Sequence, residues 1–255
     1  MFMGKIISFA NQKGGVGKTT SCVNLAASLG VLGKKVLIVD LDPQGNATSG
    51  VGVSKKGLKA STKELLNGEL AAEEIIRETP YKNLYVIPTS TALAGAEFDL
   101  LDFDEPDFRM KTALAGVKDD FDYILIDCPP SLGMLSRNAF VASDGVVVPM
   151  QCEFYALEGL SQLMITINQV KRLYNAELGV TGILITMYNG RLLLSMQVIS
   201  ELKKHYGDKL FETKISRNVK LTEAPGFGKP AYYHDKGSRG TGEYMRVAGE
   251  LMLRI

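Results

Sequence analysis

Cysteine, histidine and tryptophan are scarce in this chain of 255 residues, which holds three cysteines, two histidines and no tryptophan. The cysteines, Cys22, Cys128 and Cys152, lie far apart in the sequence and form no C-x-x-C pair. A disulfide framework uses an even set of cysteines, and a structural zinc site needs clustered Cys or His ligands. The composition therefore argues against both and predicts reduced, mostly buried thiols.

Long apolar runs are also missing. No stretch reaches the roughly 18 apolar residues that a membrane-spanning helix requires, and the first residues, MFMGKIISFANQKGG, contain no extended apolar core of a signal peptide. We therefore expect a cytoplasmic protein. With 45% hydrophobic and 22% charged residues, the chain has the composition of an ordinary globular protein.

Charge of one sign is not in excess overall, since the formal net charge is +1, but the two signs are unevenly distributed. Residues 1–150 hold 15 Lys and Arg against 18 Asp and Glu, whereas residues 151–255 hold 14 against 10. The basic excess in the C-terminal part hints that one face of the protein meets an anionic partner.

Short β-branched runs alternate with helical patterns along most of the chain. The sequence predicts strands at 5–10, 34–42, 83–90, 121–130, 145–151, 179–189 and 209–216, and helices at 19–32, 159–174 and 192–206. This alternation predicts a single α/β domain over residues 1–255, with a mostly parallel twisted sheet of about seven or eight strands and helices on both faces. We expect residues 50–120 to be an irregular helical elaboration of that domain and residues 226–242 to form a long surface loop.

The segment NQKGGVGKTT, between the first strand and the first helix, has the pattern of a phosphate-binding loop. Glycines allow backbone N–H groups to turn inward around phosphate oxygens, and the helix N-terminus adds partial positive charge. Lys18 is expected on the β- and γ-phosphates and the Thr19 hydroxyl on Mg²⁺. At the position where the usual spacing has its first glycine, this chain has Gln12, and a second lysine, Lys13, follows it. The expected nucleotide-binding stretch comprises Lys13, Gly14, Gly15, Val16, Gly17, Lys18, Thr19 and Thr20.

Carboxylates follow two other predicted strands. The apolar run YILID ends in Asp127, a Walker B pattern that predicts a magnesium ligand acting through water. The segment VDLDPQGNAT adds Asp42, which we expect to orient the attacking water near the metal, and Asp40 in a supporting role. A plain turn role for Asp42 before Pro43 is the alternative interpretation.

A lysine ahead of the glycines, as in KGGVGKT, resembles the deviant Walker A motif of the ParA/MinD class of P-loop ATPases. The segments VDLDPQGNATSG, DYILIDCPPSLG, QCEFYALEGLSQL, SRNVKLTEAP and GKPAYYHDKGSRG are similar, in the same order, to the ParA/Soj branch, which partitions chromosomes and plasmids. The resemblance covers essentially the whole chain. It implies a P-loop NTPase fold, ATP and Mg²⁺ as cofactors, and slow hydrolysis of ATP to ADP and phosphate. It also implies an ATP-dependent homodimer, non-specific binding of double-stranded DNA on the nucleoid, and a ParB-like centromere-binding partner that accelerates hydrolysis.

The same resemblance assigns roles to single residues. Lys13 would reach across the dimer interface to the partner's nucleotide, Lys18 and Asp42 would complete the catalytic set, and Glu153, near the same interface, would also contact the nucleotide. Gly17 would lie where two backbones approach, so that a Cβ there obstructs pairing. Around the adenine the resemblance implies Asn189, Arg217 and Asn218, although this chain has Asn189 and Ser216 where the family commonly has Asp and Pro.

Seven basic residues lie between Met187 and Lys220. Arg191 and Lys220 match basic positions that the family uses for DNA, and Lys203 adds to the same charge, so we expect these three to bind DNA phosphates. A solvated helix face is the alternative.

Three other functions stay open from the sequence. A MinD-like membrane-positioning ATPase would need a membrane anchor. Residues 242–255 have apolar residues at helical spacing and contain only two arginines, a pattern that favours a core-packing helix. An iron-cluster carrier would need paired cysteines. A P-loop kinase of a small metabolite would be revealed by a phosphorylated product. We expect no membrane partner.

Overall fold

A seven-stranded sheet organises residues 4–255, the part of the chain that the computed structural model describes. The strands are β1 (Lys5–Phe9), β2 (Val36–Asp40), β3 (Arg77–Glu78), β4 (Leu84–Ile87), β5 (Tyr123–Asp127), β6 (Gly145–Gln151) and β7 (Val180–Thr186). Their spatial order is β3-β4-β2-β5-β1-β6-β7, and every neighbouring pair is parallel except β3 with β4. The predicted mostly parallel sheet of about seven strands is confirmed; the short antiparallel edge strand β3 was not predicted.

Twelve α-helices accompany the strands in residues 4–255, with short 3₁₀ turns between some of them. They are α1 (Lys18–Val31), α2 (Asn46–Gly50), α3 (Thr62–Asn67), α4 (Ala72–Ile75), α5 (Ala96–Asp99), α6 (Arg109–Leu114), α7 (Met134–Ala142), α8 (Ala156–Leu173), α9 (Leu193–Tyr206), α10 (Val219–Glu223), α11 (Ala231–His234) and α12 (Arg239–Met252). Between residues 50 and 120 the chain contains the short helices α3 to α6, the strands β3 and β4 and several 3₁₀ turns.

Both faces of the sheet are buried. Successive strand side chains point to opposite faces, and in β1 the neighbours Ile6 and Ile7 are both buried but belong to different cores. Helices α1 and α12 cover the Ile7 side, where Leu25 and Val247 are fully buried. Helices α7 and α8 pack on the other side with Phe140. This arrangement explains the near-continuous apolar strands, since a parallel sheet is covered on both faces.

The strand predicted at 209–216 is wrong. Its two ends do bond to β7: the Phe211 N–H donates to the Ile183 carbonyl at 3.0 Å and the Ile215 N–H to the Ile185 carbonyl at 2.8 Å. Between them the N–H groups of Glu212 and Thr213 donate instead to the Glu250 carboxylate of α12, at 2.8 and 2.9 Å. Because a side chain takes these donors, the segment leaves the ladder and forms no continuous strand.

The long surface loop predicted at 226–242 is also wrong. The segment contains α11 and the start of α12, and Ala231 is buried with its N–H donating to the Asn24 Oδ1 at 2.7 Å. Tyr81 donates its hydroxyl hydrogen to the Gly228 carbonyl. The segment is therefore anchored to α1 and to Tyr81 through these contacts, although Phe227 remains 67% exposed. The predicted core-packing tail is confirmed, since Tyr244, Val247 and Leu251 of α12 are buried.

Candidate functional site

The carboxyl ends of the central strands converge at one edge of the sheet. In the β2–β5 pair Asp40 lies opposite Asp127, and in the β1–β5 pair Phe9 lies opposite Asp127. The glycine loop follows Phe9 directly, so the strand order places it beside both aspartates. Ligands of parallel α/β sheets bind at this edge, and the structure brings the predicted loop and carboxylates together there.

The glycine loop presents backbone N–H groups without any side chain to satisfy them. Gly15 and Gly17 have φ of +73° and +87°, in the left-handed region that favours glycine. Gly17 is the N-cap of α1, with no side-chain cap and no acidic residue in the first turn. The free N–H groups and the helix dipole therefore form an anion site. A Cβ on Gly17 would meet only the Thr186 side chain, at 3.6 Å, so within one chain the glycine is required by its φ rather than by space.

Three side-chain hydrogen bonds between the loop and the neighbouring strands β6 and β7 fix the loop in place. Gln151 donates to the Gly15 carbonyl at 2.8 Å, and Thr186 donates to the Val16 carbonyl at 2.7 Å. Asn11, at the start of the loop, donates to the Pro149 carbonyl at 2.8 Å. Sequence reasoning assigned no role to Gln151 or Thr186, and only the position of each at a strand end could have indicated one.

The two lysines of the loop occupy opposite environments. Lys18 is 7% exposed, and its Nζ donates to the Lys13 carbonyl at 3.2 Å. Burial lowers the pKa of Lys18, with Asp127 the largest opposing influence. The Lys13 side chain is 45% exposed and forms an ion pair with Glu153. Lys18 is therefore buried within its own chain near Asp127, whereas Lys13 lies at the surface.

Asp127 is a buried carboxylate without a partner. Among residues 4–255 neither of its oxygens has a hydrogen-bond donor, and the side chain is fully buried. Burial raises the pKa of Asp127 well above its usual range, and Asp40 raises it further. The Thr19 hydroxyl is near enough to oppose that rise but outside hydrogen-bond geometry. Orphaned carboxylate oxygens beside a threonine hydroxyl fit a magnesium ion that keeps several waters.

Protein side chains alone do not complete that magnesium site, which needs the phosphates of a bound nucleotide. Among residues 4–255 no group of three or more His, Cys, Asp or Glu side chains could hold a metal ion. Magnesium commonly takes one or two protein ligands together with substrate phosphates and water. We therefore expect isothermal titration calorimetry to detect no tight magnesium binding to the nucleotide-free protein. Micromolar binding of the metal alone would contradict this site.

Asp40 and Asp42 have separate tasks. Asp40 is fully buried and accepts hydrogen bonds from the N–H and hydroxyl of Thr48, at 2.7 and 2.6 Å. Burial raises the pKa of Asp40 to about 6, against these two bonds. Asp42 accepts the Gln44 N–H on its Oδ1 at 2.9 Å, a local turn, and its Oδ2 has no partner within residues 4–255. The turn interpretation and the water-orienting one are therefore compatible.

A cavity of about 350 Å³ opens beside the loop. Its lining includes Gly17 and Thr20 of the loop and helix start, Met187, Arg217 and Asn218 from the segments predicted to contact adenine, and Tyr244 of α12. Met187 has φ of +48°, uncommon for a residue with a side chain. Tyr244, which sequence reasoning placed only in the core, is an addition from the far end of the chain.

Two predicted nucleotide contacts lie outside that cavity. Asn189 does not line it, because its Oδ1 accepts the Arg191 N–H at 3.1 Å in the turn before α9. Glu153 does not line it either, since it pairs with Lys13. Ser216, where the family commonly has proline, bonds through its N–H and hydroxyl to the buried Glu243.

The three residues predicted to bind DNA have different surroundings. Arg191 and Lys203 are exposed and have no ion-pair partner within residues 4–255, whereas Lys220 pairs with Glu223 at 3.0 Å. Arg191 lies just before the N-terminus of α9, and Lys203 lies in its last turn, so the two cations mark opposite ends of this helix. Two unpaired cations so placed can contact separate phosphates of one duplex.

None of the described helices is long and apolar enough to cross a bilayer. A family model described as an AAA domain matches residues 4–180. The Bacillus subtilis sporulation initiation inhibitor protein Soj is 51% identical over 249 residues, covering 98% of each chain. The chromosome partitioning protein ParA of Myxococcus xanthus is 45% identical over 252 residues, 99% of this chain and 89% of its own.

A crystal structure of cobyrinic acid a,c-diamide synthase from Mycobacterium smegmatis, with a bound ATP analogue and magnesium, is also similar. The synthase is 34% identical to this chain and superposes on it with a TM-score of 0.85. The match covers 98% of this chain and 94% of the synthase. Matches to Soj and ParA at this identity, over nearly the full length, agree with the loop, the strand-end carboxylates and the sheet order described above. The chain belongs to the ParA/Soj family of chromosome-partitioning ATPases.

Proposed function

We propose that this chain binds ATP with Mg²⁺, forms a dimer in that state, binds DNA without sequence preference, and hydrolyses ATP to partition a chromosome or plasmid. The contrast between Lys18 and Lys13 carries the proposal, because one cation is buried inside the chain and the other is half-exposed at its surface. A buried lysine serves the chain's own phosphates. An exposed one, set beside the same loop, is available to a second copy.

Each residue has a defined task in this scheme. The free N–H groups at the start of α1 hold the phosphates, and Lys18 neutralises their charge. Thr19 and Asp127 would hold magnesium, which would supply positive charge to the bound phosphates. Asp42 orients the attacking water through its free oxygen. Lys13 of one copy stabilises the charge that develops on the phosphate bound by the other, the task of an arginine finger elsewhere.

Dimerisation would follow from ATP because the terminal phosphate attracts a lysine from each side. Loss of that phosphate removes the attraction, so that the nucleotide acts as a switch. A dimer presents two copies of Arg191, Lys203 and Lys220, and doubling a phosphate-binding surface raises affinity through effective concentration. DNA affinity is thereby coupled to the nucleotide state. A ParB-like protein would accelerate hydrolysis, and the DNA-bound dimer would lie on the nucleoid.

The proposal predicts DNA binding that depends on ATP. We expect the wild-type protein to retard a random-sequence duplex with ATP and Mg²⁺ but not with ADP or without nucleotide. Arg191→Glu should weaken binding at least tenfold, because a lost phosphate contact becomes a repulsion. Glu201→Lys, which adds positive charge on α9, serves as the opposite control and should strengthen binding. Binding that ignores the nucleotide would contradict the switch.

Blocking hydrolysis should trap the dimer. Asp42→Ala keeps the phosphate loop intact but removes the oxygen that would orient water, so we expect light scattering to show twice the monomer mass with ATP and Mg²⁺, and the monomer with ADP. An Asp42→Ala protein that stays monomeric at saturating ATP would refute the ATP-dependent dimer.

Two other activities have less support. A membrane-positioning role would require ATP-dependent binding to anionic vesicles, yet Tyr244, Val247 and Leu251 of α12 are buried in the core, which leaves Leu253 and Ile255 as the exposed large apolar residues of the tail. An amide-forming activity like that of the Mycobacterium smegmatis synthase has less support, because that protein is 34% identical to this chain, whereas Soj and ParA are 51% and 45% identical.

A further inference from the structure

Glu243, in the second turn of α12, is the only glutamate that is buried among residues 4–255, at 2% exposure. Its two oxygens accept three hydrogen bonds. The Ser216 N–H donates to one oxygen at 2.8 Å, and the Ser216 hydroxyl and the Arg239 Nε–H donate to the other at 2.9 and 2.8 Å. A carboxylate is costly to bury, but hydrogen bonds to a charged acceptor are strong. Glu243 therefore ties Ser216 firmly to α12.

The segment that Glu243 holds forms part of the wall of the cavity beside the glycine loop. Residues 216–218 all line that cavity, whose volume of about 350 Å³ lies in the range of small-molecule sites. Towards the sheet, the segment is held by the Tyr188 N–H, which donates to the Ile215 carbonyl at 2.9 Å. Glu243 supplies the attachment to α12, so the segment is fixed from two sides.

The next residue of α12 connects the same cavity to the start of α1. Tyr244 is buried and lines the cavity, and its hydroxyl lies 3.1 Å from the Ser21 hydroxyl. Thr20, the residue before Ser21, lines the cavity as well. Two consecutive residues of α12 thus relate residues 216–218 to the helix start where phosphates are expected to bind.

From these contacts we propose that Glu243 is a positioning residue for nucleoside recognition, because it holds residues 216–218 at the separation from α1 that a base and ribose require. The inference rests on the proposed binding of ATP, with its phosphates at the glycine loop and its nucleoside in the adjoining cavity. Glu243 does not line that cavity, so it acts through Ser216. The phosphates are served by Lys18 and the loop N–H groups, which Glu243 does not contact.

The size of the effect follows from the bonds to Ser216. Loss of a hydrogen bond to a charged group changes an equilibrium by roughly 10- to 150-fold. The segment can relax after the loss, so Glu243→Ala should weaken nucleotide binding by about tenfold, the lower end of that range. Glu243→Gln keeps an oxygen for the Ser216 N–H without the charge. Because charge-assisted bonds are roughly twice as strong as neutral ones, this variant should lose about threefold.

The test compares ADP with pyrophosphate, each with Mg²⁺, by isothermal titration calorimetry. ADP cannot be hydrolysed to phosphate by the proposed reaction, and pyrophosphate provides two linked phosphates without the nucleoside. The dissociation constant of pyrophosphate is measured by displacement of ADP. Both Glu243 variants should bind ADP more weakly by the factors above and pyrophosphate within about twofold of the wild type, since the loop is a separate site. A merely structural role would weaken both ligands equally.

Glu250→Ala is the matched control on the same helix. The Glu250 carboxylate also accepts two backbone N–H groups, those of Glu212 and Thr213, at 2.8 and 2.9 Å. Neither of these residues lines the cavity. The control should therefore lower the Tm yet leave the affinities for ADP and pyrophosphate within about twofold of the wild type.

The outcomes separate this inference from the rest of the proposed function. Unchanged ADP affinity in the folded Glu243 variants, equal losses for ADP and pyrophosphate, or the same loss of ADP with Glu250→Ala would each overturn it. A wild type that binds pyrophosphate as tightly as ADP would also overturn it, because the nucleoside would then add nothing. A wild type that binds neither ligand would overturn the proposed ATP binding as well. Failure of the dimer or of DNA binding leaves the inference intact, since the titration needs only one chain.

Discussion

Lys13→Ala should bind ATP almost as tightly as the wild type and yet lose hydrolysis by roughly 100-fold. Removal of a cation delivered in trans costs 10³- to 10⁵-fold where that cation is an arginine. Lysine is a point charge that lacks the two-pronged guanidinium geometry, so a smaller loss is expected. ATP binding should persist because the Lys13 side chain points to Glu153 and leaves Lys18 and the N–H groups of the loop unchanged.

The measurement pairs fluorescence titration with a labelled ATP analogue and steady-state phosphate release. Lys34→Ala is the matched control, since Lys34 is also a partly exposed lysine in an ion pair, with Asp122 at 3.7 Å. It should retain both properties. Lys18→Ala should lose ATP binding itself, because Lys18 is the only buried lysine or arginine among residues 4–255. Full turnover by Lys13→Ala would refute the role in trans.

The positions of the phosphate-binding loop and of Asp127 were predictable because each follows from a short local sequence pattern. An apolar strand, a glycine loop and a helix predict where the phosphates bind, and a second apolar strand ending in Asp127 predicts the metal side. Parallel pairing then requires that both meet at one edge. The register of Phe9 and Asp40 with Asp127 agrees with that reasoning.

The features that the sequence did not predict depend on contacts between residues far apart in the chain. No local signal shows that Glu250 takes the N–H groups of residues 212 and 213, so an alternating run was assigned to a strand. The same holds for Ser216, whose partner Glu243 lies 27 residues away, and for Tyr244, which reaches the cavity from the last helix. The assignment of Asn189 to the nucleotide stays a prediction that comes from the resemblance alone, while its Oδ1 caps a local turn. A resemblance supplies positions, whereas hydrogen bonds decide which side chains remain available.

Asp127→Asn should make the nucleotide-free protein more stable and abolish the effect of magnesium on ATP binding. Both oxygens of Asp127 are buried without donors, close to the charge of Asp40, so the folded state bears the cost of an uncompensated carboxylate. Because its pKa is raised on folding, the folded state holds a proton at pH values where the unfolded chain has lost it. The stability of the wild type therefore falls as pH rises above about 4, the unfolded value.

The stabilisation should accordingly be largest at neutral pH and vanish near pH 4. Relief of an unsatisfied buried group is worth about 1–3 kcal/mol, and each kcal/mol shifts the Tm of a chain of this size by about 2–4 °C. Differential scanning calorimetry with and without Mg·ATP measures both effects, and the ligand should stabilise the wild type more than the variant. Asp144→Asn is the matched control, because the Asp144 carboxylate accepts the Ile6 N–H at 2.7 Å and pairs with Lys118 at 3.2 Å. That variant should lower the Tm and leave magnesium dependence intact. If Asp127→Asn also destabilised the protein, the carboxylate would have a partner in solution and the magnesium site would need another ligand.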